Sequence, residues 1–317
     1  MKTVQFVNGD HMPIIGLGTW KSNPGEVYKA VKEALRLGYR HIDCAPIYGN
    51  EAEIGKALNE SFKEGVVSRD KLWITSKLWN NAHAPKDVQP ALEKTLSDLQ
   101  IDSLNLFLMH WPVAIKRDVL FHKSAAELIS LDDEPISNTW QAMEALVEKG
   151  LCKHIGVSNF SVAKLEALIK TANLRPEMNQ IELHPYLQQP KMVDYCKSQN
   201  IHLTAYAPLG SADRPARLKL AGEPILLEDP VIRKIADRHD ATPAQILISW
   251  AVHRQTVVIP KSANPQRIKQ NLEAIDVTLS GSEMQEIAAL DRHRRYISGS
   301  FWVVDGGPYT FENLWDE

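Results

Sequence analysis

One pattern occurs eight times along this chain: a short, nearly unbroken apolar run, then apolar residues at helical spacing. The runs are Ile14 to Thr19, His41 to Ala45, Leu72 to Leu78, Leu104 to His110, His154 to Asn159, Met178 to Glu182, His202 to Ala207 and Val257 to Lys261. Short apolar runs without polar alternation are strands buried on both faces, as in a parallel sheet covered by helices. Helical spacing follows in Val27, Val31, Ala34 and Leu35, in Leu92, Leu96 and Leu99, and in Leu165, Leu168 and Ile169. Further helices are expected near Glu51 to Asn59, Thr139 to Lys149 and Lys191 to Ser198. One continuous region from Val231 to Val252, a helix near Gln266 to Ala274 and an extra one from Gly281 to Arg292 complete the series. Eight strand-helix units in 317 residues predict an α/β chain folded as a (β/α)8 TIM barrel. An open doubly wound sheet is the alternative.

Residues 3 to 13 alternate around Asn8-Gly9 and predict an N-terminal β-hairpin placed to plug or cap the main fold. Val113 to Ser137 reads as a polar excursion, Ala212 to Asp229 as a Gly/Pro-punctuated loop, and Arg294 to Glu317 as a C-terminal loop rich in Gly and aromatics. No linker or composition shift divides the sequence, so residues 1–317 are expected to form one domain. A net charge of -3 without a basic tract argues against nucleic acid or an anionic membrane surface as partner and leaves a small molecule. Cys44, Cys152 and Cys196 are far apart and flanked by apolar residues, which predicts buried thiols rather than disulfides or a zinc site. Met1 to Phe6 has no apolar signal core, and no stretch is long enough to span a bilayer, so a cytoplasmic, soluble chain is expected.

In a barrel, chemistry gathers at the carboxyl ends of the strands. Here those ends carry Thr19-Trp20, Asp43, Lys77, His110, Ser158-Asn159, Gln180, Tyr206 and Lys261-Ser262, with Tyr48 in the loop after the second strand. Each alone has a plain structural explanation: Asp43 and Lys77 as a buried ion pair, His110 as a core histidine, Tyr48 as a packed aromatic. Gln180, Glu182 and His184 lack metal-ligand spacing, so no metal is expected. Together the groups suggest proton donation. A tyrosine hydroxyl, with a reference pKa near 10, becomes a better donor beside a cation. Lys77 is placed to supply it, Asp43 to hold Lys77 charged, and His110 to bind the substrate oxygen. Reduction of a carbonyl group fits that set. A hydride donor then has to share the face, yet Gly16-Leu17-Gly18-Thr19-Trp20 lacks the third glycine of a Rossmann fingerprint. Ser158, Asn159 and Gln180 suit a carboxamide, Tyr206 a flat ring, and Lys261, Ser262 and Arg267 a phosphate at a helix start.

In those motifs the chain resembles the aldo-keto reductases over nearly its whole length. The resemblance runs through Gly16-Leu17-Gly18-Thr19-Trp20, His41-Ile42-Asp43-Cys44-Ala45, Tyr48-Gly49-Asn50-Glu51, Ser76-Lys77-Leu78-Trp79 and His110-Trp111-Pro112. It continues through Ile155-Gly156-Val157-Ser158-Asn159-Phe160, Asn179-Gln180-Ile181-Glu182, Ala205-Tyr206-Ala207-Pro208 and Ile259-Pro260-Lys261-Ser262. It implies a tetrad of Tyr48 as general acid, Lys77 and Asp43 as its modulators and His110 as the substrate-orienting residue. It also implies extended NADPH/NADP+ binding by Ser158, Asn159 and Gln180 at the carboxamide and Tyr206 at the nicotinamide, with Thr19, Trp20 and Asp43 nearby. Leu209 and Ser211 would follow the pyrophosphate, Lys261, Ser262 and Arg267 the 2'-phosphate, and Gln270 and Asn271 the adenine, Gln270 standing where many members have glutamate. Acidic Glu223 and Glu228 keep NADH open as a second cofactor. Trp20, Tyr48, Trp79, His110, Trp111, Phe121, Phe301 and Trp302 would form the substrate pocket.

The expected activity is reduction of aldehydes or aldoses, with sugar phosphates or ketones also open, by a monomer or weak homodimer. Two alternatives compete: a Schiff-base aldolase using Lys77, which would need that lysine neutral, and a nicotinamide-binding regulatory barrel without turnover.

Overall fold

The computed structural model describes residues 2–317. Eight parallel strands form one sheet: β1 (Leu17–Gly18), β2 (His41–Asp43), β3 (Trp73–Leu78), β4 (Leu104–Met109), β5 (Cys152–Ser158), β6 (Met178–Glu182), β7 (His202–Tyr206) and β8 (Val257–Val258). They pair in chain order, with register such as Lys77 opposite Leu108 and Gln180 opposite Thr204. The sheet closes on itself. Parallel bridges join Ile15 to Val258 and Gly18 to Lys261, and the Gly16 N–H donates to the Val258 carbonyl at 2.9 Å. Two glycines allow the close packing of β1: a Cβ on Gly16 would lie 2.3 Å from the His41 ring of β2, and one on Gly18 2.7 Å from the Ile259 carbonyl oxygen across the seam. The result is a (β/α)8 barrel rather than an open sheet.

The helices are α1 (Glu26–Leu37), α2 (Glu51–Lys63), α3 (Pro85–Leu99), α4 (Ile136–Glu148), α5 (Val162–Thr171), α6 (Pro190–Ser198), α7 (Pro230–Arg238), α8 (Pro243–His253) and α9 (Pro265–Glu273). Two more follow, α10 (Gly281–Ala288) and α11 (Phe311–Trp315). The helical region expected to run unbroken from Val231 to Val252 is two helices. Asp240 is left-handed at φ 49°, and Thr242 opens α8 with a capping box to Gln245 and Pro243 at the first turn, so the chain restarts instead of continuing.

The hairpin is present: Thr3–Gln5 pairs with His11–Pro13. It plugs the amino end of the barrel, where Phe6 is buried against Trp73, His154 and His202 at ring separations of 5.0, 4.4 and 4.8 Å. At the opposite end, two segments expected as loops carry structure. The excursion after β4 folds a small hairpin, Ala114–Ile115 with Leu128–Ile129, and the tail holds a 3-10 turn at Ser300–Trp302 as well as α11. Their apolar side chains form a second core of their own, including Trp79, Trp111, Ile115, Leu128, Ile297, Trp302 and Tyr309. The Tyr309 hydroxyl ties tail to excursion, donating to the Ile129 carbonyl at 2.6 Å and accepting from the Ala114 N–H at 2.8 Å. Among the described residues no helix is long and apolar enough to cross a membrane.

Candidate active site

A cavity of about 750 Å³ opens at the carboxyl ends of the strands, between the loops that follow them. At its floor lies a buried chain of polar groups. Lys77, 1% exposed, has three ammonium hydrogens and three acceptors: Asp43 Oδ1 at 2.5 Å, the Cys44 carbonyl at 2.9 Å and Tyr48 Oη at 3.4 Å. Because Tyr48 accepts from the lysine, its own hydroxyl proton is left to point into the cavity that Tyr48 lines. The second oxygen of Asp43 accepts from Gln180 Nε2 at 2.7 Å, and the Thr19 hydroxyl donates to the Asp43 carbonyl at 2.7 Å. Thr19, Asp43, Lys77 and Gln180 sit in or at the ends of strands, and Tyr48 follows in the 3-10 turn Pro46–Tyr48 just after β2, so the barrel sets most of this geometry.

Burial alone would push the Lys77 ammonium down, but Asp43 and then Tyr48 carry it well above the ordinary lysine range. It therefore stays charged, contrary to what a Schiff-base amine requires. Burial pushes the Tyr48 hydroxyl up, with Lys77 opposing and Asp43 adding to the rise. The expected lowering by Lys77 is thus real as an opposing effect but does not outweigh burial. His110 is held neutral, far below the usual imidazole range, by burial first and then by Lys77. Its Nδ1 is buried without a partner, which leaves Nε2 as the nitrogen that can meet a ligand. The ring stands edge-on to Tyr48 at 6.0 Å and to Trp79 at 5.1 Å.

Ser158, Asn159, Gln180 and Tyr206 line one side and are already cross-linked. Ser158 Oγ donates to the Gln180 carbonyl at 2.7 Å, Asn159 Nδ2 to the His110 carbonyl at 2.9 Å, and the Tyr206 hydroxyl to Asn159 Oδ1 at 2.7 Å. The Gln180 amide oxygen is left without a partner among the described residues. Trp20, Trp79, Trp111, Phe121, Phe301 and Trp302 form the aromatic wall, and Leu209, Ser211, Lys261, Ser262 and Arg267 line the far arm. Gln270 and Asn271 do not line it. They stand about one helical turn beyond Arg267 on α9, away from the helix start that faces the cavity, and Asn271 is buried.

Several lining residues were not anticipated. Lys21 reaches across to Asp213 at 2.5 Å and to Ser211 Oγ at 3.0 Å, bridging the loops after β1 and β7 over the far arm. Ile47, His122, Arg217 and Ile297 also line the cavity. Four lining residues, Lys21, Asn159, Ala207 and Ser211, have positive φ, at 61°, 64°, 47° and 46°, as do residues that close helices elsewhere, such as Gln100 and Asp240. Left-handed backbone costs a non-glycine residue roughly 1 kcal/mol or more and persists where the surroundings over-determine it, which is typical of ligand sites. Side-chain types do not reveal it.

Comparison with known proteins agrees with this geometry. The model of the aldo/keto reductase family matches residues 14–292. An aldo/keto reductase of Synechocystis sp., slr0942, is 57% identical over 317 residues, covering 100% of this chain and 97% of that protein. Aldo-keto reductase family 1 member A1 of Homo sapiens is 50% identical over 300 residues, covering 94% of this chain and 91% of its own. The structure of the aldose reductase from Schistosoma japonicum superposes with a TM-score of 0.86 at 40% identity, covering 94% of this chain and 95% of that one. The chain belongs to the aldo/keto reductase family.

Proposed function

We propose that this chain reduces the carbonyl group of an aldehyde or aldose to an alcohol, with NADPH as the preferred cofactor. Membership of the family supports carbonyl reduction as the reaction class. The observation that carries the residue assignment is the contact of the charged Lys77 with Tyr48 Oη at 3.4 Å, which frees the phenolic proton for the cavity. Tyr48 is the general acid: it gives its proton to the carbonyl oxygen as negative charge develops there. Lys77 stabilises the phenolate left behind, and Asp43 keeps the lysine charged and in place. His110, neutral, donates from Nε2 to the same oxygen and fixes its direction. The phenolate regains its proton from solvent in the cavity.

The site fits a reduced nicotinamide dinucleotide on its own donors and acceptors. The cavity continues well past the catalytic floor; the unpartnered Gln180 oxygen and the Ser158 and Asn159 side chains suit a carboxamide, and the Tyr206 ring suits a flat heterocycle. Thr19, Trp20 and Asp43 border that position. At the far arm Leu209 and Ser211 suit the pyrophosphate, while Lys261, Ser262 and Arg267, at the start of α9, suit a 2'-phosphate. Gln270 and Asn271 would meet the adenine only where it extends past the cavity rim. When bound, that cofactor supplies the hydride for the carbonyl carbon.

The test is loss of reduced-nicotinamide absorbance with the purified protein, offered NADPH or NADH with short aldehydes, aromatic aldehydes and aldoses. Tyr48→Phe should cut kcat by about a thousandfold or more while NADPH binding stays within about twofold. Turnover in that variant near the wild-type level would remove Tyr48 as the acid. Lys261→Ala with Arg267→Ala should raise KM for NADPH at least tenfold and leave KM for NADH nearly unchanged.

A further inference from the structure

The aromatic wall of the cavity carries one imidazole that the catalytic chain does not use. His122 lies in the excursion after β4, half-buried, and lines the same cavity. Its ring stacks on Trp302 at 5.3 Å with 21° between the planes; Trp302 meets Trp79 at 5.8 Å, and Trp79 meets His110 at 5.1 Å. His122 is therefore three ring contacts from His110 along one wall. Trp302 is itself nearly fully buried, so the platform under the imidazole is fixed. A ring stacked face-on has its nitrogens at the free edge. Neither nitrogen of His122 has a hydrogen-bond partner among the described residues, and neither is among the buried unpartnered atoms, so both are open. The carboxylate of Glu127, near it, is turned to the backbone N–H of Lys123 at 2.5 Å. The rest of this wall is indole, phenyl and aliphatic surface.

An imidazole donates from at least one ring nitrogen in either protonation state, and the electron-rich face of a tryptophan favours an electropositive ring against it. A carboxylate is the acceptor that gains most from such a donor. We propose that His122 is a specificity-determining residue that receives a carboxylate carried by the carbonyl substrate at the end remote from the reacting carbon. The inference rests on the carbonyl-reduction reading and names its substrate class: an aldehyde with a carboxylate at the end remote from the reacting carbon. Lys261 and Arg267 are assigned to phosphate, and Lys21 is paired with Asp213. Arg217, which lines the cavity without an ion pair among the described residues, is the rival cation.

The experiment compares para-carboxybenzaldehyde with para-tolualdehyde on the wild type, His122→Phe, His122→Asn and Arg217→Ala. Phenylalanine keeps the stack on Trp302 and removes the donor. It should lower kcat/KM for the carboxylate about tenfold and leave the methyl compound within about twofold. Asparagine, which keeps an N–H, should restore part of the loss. A second arm needs no turnover: quenching of the pocket tryptophans by para-carboxybenzyl alcohol should show a Kd about tenfold higher in His122→Phe. If the wild type reduces neither aldehyde, the reaction class is wrong, and the binding arm still decides His122. Equal losses for both aldehydes, no loss in His122→Phe, or a carboxylate preference that disappears only in Arg217→Ala would each overturn the proposal.

Discussion

Asp43 at the end of β2 and Glu182 at the end of β6 are both closed off from solvent, and the barrel gives their carboxyl oxygens different partners. Asp43 faces a cation, Lys77 at 2.5 Å, with Gln180 Nε2 on its other oxygen. Glu182 accepts from His184 Nε2 at 2.8 Å and from the backbone N–H groups of Tyr296 and Ile297 at 2.6 and 2.7 Å. Burial would raise the Glu182 carboxyl, but His184 and those two backbone donors bring it below the usual glutamate range. A carboxylate held by an ammonium belongs to a chain of protons that continues to Tyr48. A carboxylate held by a histidine and two backbone amides is a fixed strut. It ties the tail to β6 just before Ser300–Trp302, the turn that carries Phe301 and Trp302 to the cavity wall. In the proposed reaction the first region would serve the chemistry and the second the shape of the pocket.

Breaking the first region should produce the largest effect. Lys77→Met is expected to cut kcat by about 10²–10⁴-fold. It should also destabilise the fold by about 3–5 kcal/mol, because it leaves Asp43 buried without its cation. The double variant Asp43→Asn with Lys77→Met should regain much of the stability, read by thermal or urea unfolding, and none of the turnover. Recovery of both would mean that the pair acts only as a structural ion pair.

Glu182→Gln should be milder and of a different kind. The amide keeps the shape but loses the charge that two N–H groups and His184 share, costing about 1–3 kcal/mol. KM for aromatic aldehydes should rise several-fold as the tail loosens, while kcat for a short aldehyde stays within about threefold. A fall in kcat matching that of Lys77→Met would erase the distinction between the two regions.

That distinction shows how far the sequence can be read. Asp43, Lys77, His110, Gln180 and Tyr206 were legible because each ends an apolar run, and a barrel sends strand ends to one face. Lys21, Asp213, His122 and Arg217 were not, since they sit in irregular loops whose course depends on contacts far apart in the chain. The Lys21–Asp213 pair spans 192 positions. Glu182 was legible only as a polar residue near a histidine, because its main partners are backbone amides of the tail, which carry no residue signature. The split between α7 and α8 was written in Thr242-Pro243 and Gln245, whose capping chemistry competes with the apolar periodicity that suggested one helix.

The two regions also respond to opposite ends of the pH scale. The folded-state value of Glu182 is depressed, so its stabilisation is present above the unfolded glutamate value near 4.3 and is lost as pH falls through the folded value. The folded-state value of Lys77 is raised, so its contribution is complete below the unfolded lysine value near 10.4 and is lost only as pH rises through the folded one. Unfolding midpoints of wild type and Glu182→Gln should therefore converge below about pH 4 and stay apart from there to the alkaline limb. Midpoints that stay apart at the acid end would show that the charge of the Glu182 carboxylate does not carry the stabilisation.

Glu51 offers the smallest and sharpest test, because it is a third buried carboxyl with neither device. It lies at the start of α2, accepting from Ser76 Oγ at 2.6 Å and Thr95 Oγ1 at 3.0 Å, and burial pushes its carboxyl up to about 7 despite those two hydroxyls. Among the described residues no ammonium and no backbone amide bonds its side chain. Two hydroxyl donors, then, do not offset the desolvation that amides with a histidine offset at Glu182. For a carboxyl with a raised folded-state value the sign reverses: between the unfolded value near 4.3 and about 7 the folded chain holds the extra proton, so stability falls as pH rises through that window. Glu51→Gln, which keeps both hydroxyl partners and removes the charge, should flatten that slope. It should raise the midpoint at pH 8 by a few degrees relative to wild type, with little difference at pH 5. A variant less stable than wild type at pH 8 would show that the ionised carboxylate is favoured there, and that Lys77, further off, reaches Glu51 as well as Asp43.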